Sequence, residues 1–69
     1  MELTIRDEFI KLGQALKLAG VTGSGVEAKI MIEEGKVLVN GAVETRRGKK
    51  LREGDTFSAG GKEFTVHTA

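Results

Sequence analysis

The segment KVLVNGAVET places Asn40–Gly41 between two short apolar runs. Asn-Gly is the pair that best fits a type I′ turn, because both central residues of that turn have positive φ. A two-residue loop here pairs Val39 with Ala42 and Leu38 with Val43. The segment therefore predicts a β-hairpin whose register is set by its turn.

The segment DTFSAGGKEFTVH predicts a second hairpin near the end of the chain. A loop at Gly60–Gly61 places Phe57 opposite Phe64, and cross-strand aromatic pairs stabilise a sheet. At the other end of the chain, Leu3 and Ile5 alternate with polar residues, which favours a short N-terminal strand.

A first helix is indicated by an apolar stripe at helical spacing, formed by Leu12, Ala15, Leu16 and Ala19. Gly20 is suited to end this helix. Two starts are possible: Asp7 could cap a long helix, or the helix could begin near Leu12. We favour the later start, because it puts Gly13 in the first turn, whereas a mid-helix glycine costs about 1 kcal/mol relative to alanine.

A second helix begins after Ser24, which together with Glu27 has the spacing of a capping box. Its buried stripe is Ala28, Met31 and Ile32, and Gly35 ends it. Val26 and Ile30 point away from that stripe. They are either covered by the N-terminal strand or form a small exposed apolar patch.

These elements predict an α+β fold, with two short helices packed on a small, mainly antiparallel sheet of two hairpins plus an N-terminal strand. We expect residues 1–69 to form a single domain. There is no Cys, and His67 is the only His, so a Cys/His zinc site is excluded and we expect no metal and no cofactor. No apolar run is long enough to span a bilayer and no signal peptide is evident, so we expect a cytoplasmic protein without membrane contact.

Two motifs could suggest other chemistry. Gly23, Gly25 and Ala28 match G-x-G-x-x-A, but the dinucleotide fingerprint requires a preceding strand within a βαβ unit, and a helix precedes it here. No nucleophile lies in a pattern with a base, and His67 has no evident partners. We therefore expect no catalytic residues and no enzyme activity.

Positive charge is concentrated between the predicted hairpins. Five of the seven residues at 46–52 are Lys or Arg, although the chain's net charge is only +1. This basic segment, as we call residues 46–52, could be a solvated loop that only serves solubility. Gly48 permits close approach of a partner, and the vicinal Arg46 and Arg47 suit bidentate contact with phosphate. A second anion site is possible at Ser24 and Gly25, at the start of the second helix, with Lys29 one turn on.

Three stretches in this order, GSGVEAK, EEGKVLVNGAVET and RRGKKLREGD, resemble a known family. The chain is similar over residues 9–58 to the small RNA-binding domain named after ribosomal protein S4, in its stand-alone bacterial form. Ser24, Glu27, Ala28 and Lys29 match the family pattern at the second helix. Gly25 stands where that pattern usually has Arg, and Val26 where it has a second Ser.

The resemblance implies binding of structured RNA, with ribosomal RNA or a ribosomal particle as the expected target. We also expect the protein to be a monomer. Basic residues would form one face if the basic segment folds back beside the helices, and the Phe residues are expected in the core. The candidate RNA-binding residues are Lys17, Ser24, Gly25, Lys29, Lys36, Arg46, Arg47, Lys49, Lys50 and Arg52. The alternative is a protein-interaction adaptor that uses Val26, Ile30 and a hairpin edge.

Overall fold

The computed structural model describes all residues 1–69. Two helices, α1 (Leu12–Leu18) and α2 (Gly25–Glu33), lie between two groups of strands along the chain. Strands β1 (Glu2–Ile5) and β2 (Ile10–Lys11) precede them. After them come β3 (Leu38–Val39), β4 (Ala42–Val43), β5 (Lys50–Leu51), β6 (Thr56–Ala59) and β7 (Lys62–Thr68). The predicted α+β class is confirmed.

Both hairpins form with the predicted registers. Val39 pairs with Ala42 in the first hairpin. In the second, Phe57 pairs with Phe64, and the two rings stack with centroids 5.1 Å apart. Asn40 has φ 50° and Gly41 φ 84°, as a type I′ turn requires.

The two hairpins and β1 join into one five-stranded sheet in the order β1-β7-β6-β3-β4. Every pair in it is antiparallel except β1 with β7, which runs parallel and sets Leu3 opposite Val66. The first and last strands of the chain are therefore neighbours. The alternation of β1 is confirmed, since Leu3 and Ile5 are buried.

The helix boundaries follow the sequence signals. The later start of α1 is correct, and Gly20 and Gly35 follow the two helices with φ 77° and 76°. Both helices contribute to one hydrophobic core with the sheet, and its fully buried large side chains are Phe57, Leu12, Leu16, Ile32, Leu51, Val37 and Val66. Neither helix has the length and hydrophobicity needed to cross a membrane.

The second, two-stranded sheet was not predicted. Within the basic segment, β5 pairs antiparallel with β2, setting Ile10 opposite Leu51 and Lys11 opposite Lys50. The basic segment is thus not simply a loop between hairpins. Leu51 is buried in the core and anchors it next to the start of α1.

Candidate nucleic-acid interface

The basic segment caps the N-terminus of α1 with its own backbone. The first N–H groups of a helix lack intrahelical partners, and Lys11, the residue before α1, supplies no side-chain cap. Instead, the N–H of Leu12 donates to the carbonyl of Lys49 at 2.8 Å, and that of Gly13 to the carbonyl of Arg47 at 3.1 Å. A β-carbon on Gly13 would lie only 2.7 Å from Cγ of Arg47. Glycine is therefore what allows this close approach.

This docking creates a small cleft between α1, the start of α2 and the basic segment, which we call the cationic cleft. It has a volume of about 310 Å³ and is lined by Lys11, Gly13, Gln14, Lys17, Gly25, Arg47 and Gly48. Three of these side chains are cationic, and none is acidic or apolar. Like charges gathered around one concavity raise the local potential, so the cationic cleft is suited to an anion.

Two predicted cations are already engaged by carboxylates. Glu44 accepts hydrogen bonds from Arg46 through the backbone N–H at 3.0 Å, Nε at 3.0 Å and Nη2 at 3.2 Å. These bonds lower the pKa of Glu44 to about 2 and raise the pKa of Arg46. Lys36 lies 3.3 Å from Glu34. Of the vicinal arginines, only Arg47 lines the cationic cleft.

The other two cations at the end of the basic segment lie over an aromatic ring. Nζ of Lys50 is 4.8 Å and Cζ of Arg52 is 5.6 Å from the centre of the Phe9 ring, both within cation–π range. Phe9 is only half-buried and lies outside the hydrophobic core. The expectation that all three Phe residues are core is therefore wrong for Phe9, whose half-buried ring lies beside the cations of Lys50 and Arg52.

The N-terminus of α2 holds a carboxylate of its own. Oγ of Ser24 accepts from the N–H of Glu27 at 3.2 Å, as the capping box predicts. The Glu27 side chain accepts from the N–H of Gly23 at 3.1 Å, one residue before the usual partner. A phosphate at this helix end would meet the Glu27 carboxylate, so the second anion site is not favoured. Gly25 contributes to the cationic cleft instead.

The remaining candidates are peripheral. Lys29 is exposed on α2 outside the cationic cleft, and Lys49 is half-buried, with its carbonyl bonded to α1. Val26 and Ile30 are exposed, at 68% and 50%, so they form the exposed apolar patch rather than being covered by the N-terminal strand.

Two residues that line the cationic cleft were missed by sequence reasoning. Lys11 and Gln14 line it together with the predicted Lys17 and Gly25. The sequence pattern that could have found them is the spacing of Gln14 and Lys17, which lie three residues apart on the polar side of α1.

His67 lies away from the cationic cleft and has partners that the sequence did not reveal. Its Nδ1 is 3.0 Å from Oε2 of Glu53, and its Nε2 is 2.8 Å from Oε1 of Glu2. Oε1 of Glu53 also accepts from the N–H of Thr68 at 2.8 Å. The cluster joins β1, β7 and the turn after β5. The two carboxylates raise the pKa of His67, and the hydrogen bonds from Thr68 and His67 lower the pKa of Glu53.

The two short helices and the Asn-Gly hairpin that follows them occur in the order that the sequence resemblance implied. A family model described as the S4 domain matches residues 3–67. The chain belongs to the S4 domain family.

Two curated relatives and one solved structure are close in length and sequence. The chain is 47% identical over 57 residues to "Putative RNA-binding protein YbcJ" of Escherichia coli, covering 83% of this chain and 81% of that protein. It is 48% identical over 59 residues to "Probable ribosome maturation protein RlbA" of Bacillus subtilis, covering 86% and 83%. The solution structure of YbcJ from E. coli, described as revealing an ALFAL motif involved in RNA-binding, superposes with a TM-score of 0.73 at 40% identity, covering 96% of this chain and 85% of that one.

Proposed function

We propose that this protein is a non-catalytic, cytoplasmic protein that binds structured RNA as a monomer, and that its target is ribosomal RNA or a ribosomal particle. The observation that carries the proposal is the cationic cleft. It gathers Lys11, Lys17 and Arg47 without a single lining carboxylate. The names of the relatives, an RNA-binding protein and a ribosome maturation protein, support the same target class.

The cationic cleft suits a phosphate of the RNA backbone. Each phosphate neutralised by Lys or Arg releases condensed counterions, which favours binding and makes it depend on salt. The Arg47 guanidinium offers a planar set of donors for two phosphate oxygens, and the Lys ammonium groups add charge. The backbone bonds from α1 to the carbonyls of Arg47 and Lys49 hold the basic segment before RNA arrives. Little ordering is then needed on binding, which preserves affinity.

Contacts of this kind position an RNA without reading its sequence. Structured RNA presents phosphates and 2′-hydroxyl groups at spacings fixed by its A-form helices. We therefore propose that the shape of the RNA, rather than its base sequence, governs where the cationic cleft docks.

The proposal is tested by sedimentation with ribosomal particles and with deproteinised ribosomal RNA. The double variant Lys17→Gln/Arg47→Gln should lose co-sedimentation with both. Lys62→Gln is the matched control, because Lys62 is exposed at the β6–β7 turn and lines no cleft. If the folded double variant co-sediments as well as the wild type, the cationic cleft is not the RNA contact.

The rival function is a protein-interaction adaptor, and the exposure of Val26 and Ile30 on α2 favours it. Val43, on the edge strand β4, is also exposed and lies beside Gly35 at the end of α2. An adaptor of this kind predicts association that is insensitive to salt and is abolished by Ile30→Asp. RNA binding through the cationic cleft instead predicts binding that weakens as salt rises and that is retained in Ile30→Asp.

A further inference from the structure

A second depression adjoins the cationic cleft and differs from it in chemistry. Its volume is about 600 Å³, within the range of sites that hold small organic groups. Its apolar lining is Ile5, Phe9, Ile10 and Leu18. We call it the Phe9 depression, because this ring is its only aromatic group.

The Phe9 ring contacts two cations that do not line the depression. Phe9 directly precedes β2, whose pairing with β5 brings the ring beside Lys50 and Arg52. Neither cation lines the depression, whereas Phe9 does. The ring therefore contacts two exposed cations and also presents surface to the depression. An aromatic side chain has only two χ angles, so it loses little conformational freedom when a second flat group stacks on it.

The Phe9 depression and the cationic cleft share two residues of α1. Gln14 and Lys17 line both, and residues three apart on a helix are neighbours on one face. A phosphate in the cationic cleft therefore lies beside the Phe9 depression, across a single helical turn. In a nucleotide, the base is likewise next to its own phosphate.

The polar lining of the Phe9 depression is mixed in charge, with the carboxylate of Asp7 and the cations of Arg6 and Lys17 among its residues. Asp7 lines it, and a carboxylate repels phosphate but accepts hydrogen bonds from the exocyclic amine of a base, as Asp does with cytosine. Arg6 and Gln14 add donors that can meet ring nitrogen or carbonyl acceptors. An aromatic ring with mixed donors and an acceptor suits a nucleobase.

We propose that the Phe9 depression receives one unpaired nucleobase of the RNA whose backbone occupies the cationic cleft. This inference rests on the proposed function and adds a binding site for a base to it. The base stacks on Phe9, and Lys17 contacts the adjoining phosphate. Such stacking tolerates different bases, since each has a π-face. The protein would therefore favour structured RNA with an unpaired nucleotide beside the helical region.

The test uses ribosomal RNA stem–loops in which 2-aminopurine replaces each unpaired base in turn. Stacking on an aromatic ring quenches 2-aminopurine, so the wild-type protein should lower its fluorescence at one position. An abasic site at that position should weaken binding about tenfold, equivalent to about 1.4 kcal/mol. Because this readout uses the unmodified protein, it does not depend on whether a variant folds.

Variants of Phe9 then assign the site. Phe9→Leu should weaken binding of the intact stem–loop about tenfold, or about 1.4 kcal/mol, and leave binding of the abasic one unchanged. Phe9→Tyr should restore both the quenching and the affinity. Since no charge is altered, the salt dependence of Phe9→Leu should equal that of the wild type, unlike that of Lys17→Gln. Thermal melting of each variant confirms that it is folded.

Two results would overturn the assignment. In the first, no 2-aminopurine position is quenched and the abasic stem–loop binds as tightly as the intact one, while Lys17→Gln still weakens binding. RNA binding would then stand without a base site. In the second, sedimentation reveals a dimer of the free wild type that Phe9→Leu abolishes, so a second copy of the chain occupies the Phe9 depression. Absence of any RNA binding by the wild type would instead refute the proposed function itself.

Discussion

Gly13 belongs to α1 and also contacts the basic segment, so a substitution there affects both. It is the second residue of α1, and its N–H donates to the carbonyl of Arg47 at 3.1 Å. A β-carbon added there would meet Cγ of Arg47 at 2.7 Å and Cδ at 3.4 Å. Cγ is near the root of the side chain, so relieving the contact moves the whole guanidinium group.

The variant Gly13→Ala therefore has two opposing effects on stability. Alanine favours a helix interior by about 1 kcal/mol over glycine, and because Gly13 lies in the first turn of α1 the gain here is smaller than that. Forcing Arg47 away from its preferred rotamer costs about 0.5–1.5 kcal/mol. We expect the free energy of unfolding to change by less than about 1 kcal/mol in either direction. RNA binding should respond more strongly, because Arg47 leaves the cationic cleft: one lost phosphate contact lowers the salt slope of log affinity by about 0.7–0.9.

The assay combines urea unfolding with RNA binding measured across a salt series. Gly23→Ala is the matched control, because a β-carbon there meets only Glu27 at 3.8 Å and Gly23 lines no cleft. It should leave RNA binding unchanged. If the folded Gly13→Ala variant binds RNA with the wild-type slope, the close approach of Arg47 does not position it for binding.

Three other residues can be tested separately. Hydrogen bonds to Glu53 and Glu2 raise the pKa of His67 above its usual 6.5, so its stabilising contribution is complete below about pH 6.5 and is lost as pH rises through the raised value. The melting temperature should therefore fall more between about pH 6 and about pH 8 in the wild type than in His67→Asn. Equal falls in the two proteins would contradict this. Asn40→Ala removes an acceptor and places alanine at φ 50°, so urea unfolding should show a loss of about 1–3 kcal/mol, with Asn40→Gly retaining the turn as a control. Phe57→Ala should cost about 3–5 kcal/mol, and a cooperative unfolding transition near that of the wild type would refute the importance of its stack.

Local signals in the sequence were sufficient for the helices and hairpins. The Asn40–Gly41 turn fixes its own register, because positive φ at both residues is compatible with few other connections. Ser24 and Gly35 mark the limits of α2 in the same local way. The pairing of β2 with β5 joins two-residue strands that are distant in the sequence, setting Ile10 opposite Leu51 and Lys11 opposite Lys50. No periodicity can be read from so short a strand, so the sequence did not predict the second sheet.

The candidate site was predictable as a set of cations but not as an arrangement. Arg46 and Arg47 are equivalent in the sequence, yet Glu44 engages the first and the second lines the cationic cleft. The difference depends on which way each side chain leaves the basic segment once Leu51 is anchored in the core. The same anchoring brings β5 beside Phe9, which explains why an apparent core residue became half-exposed.

The most direct test of the central claim is the salt dependence of RNA binding for the two neighbouring arginines. Affinity for a ribosomal RNA fragment is measured from about 50 to about 200 mM salt for the wild type, Arg47→Gln and the charge-neutral double variant Glu44→Gln/Arg46→Gln. We predict that Arg47→Gln lowers the slope by about 0.7–0.9, whereas the double variant keeps the wild-type slope. Equal slopes for all three proteins, or loss of slope only in the double variant, would contradict the assignment of phosphate binding to the cationic cleft.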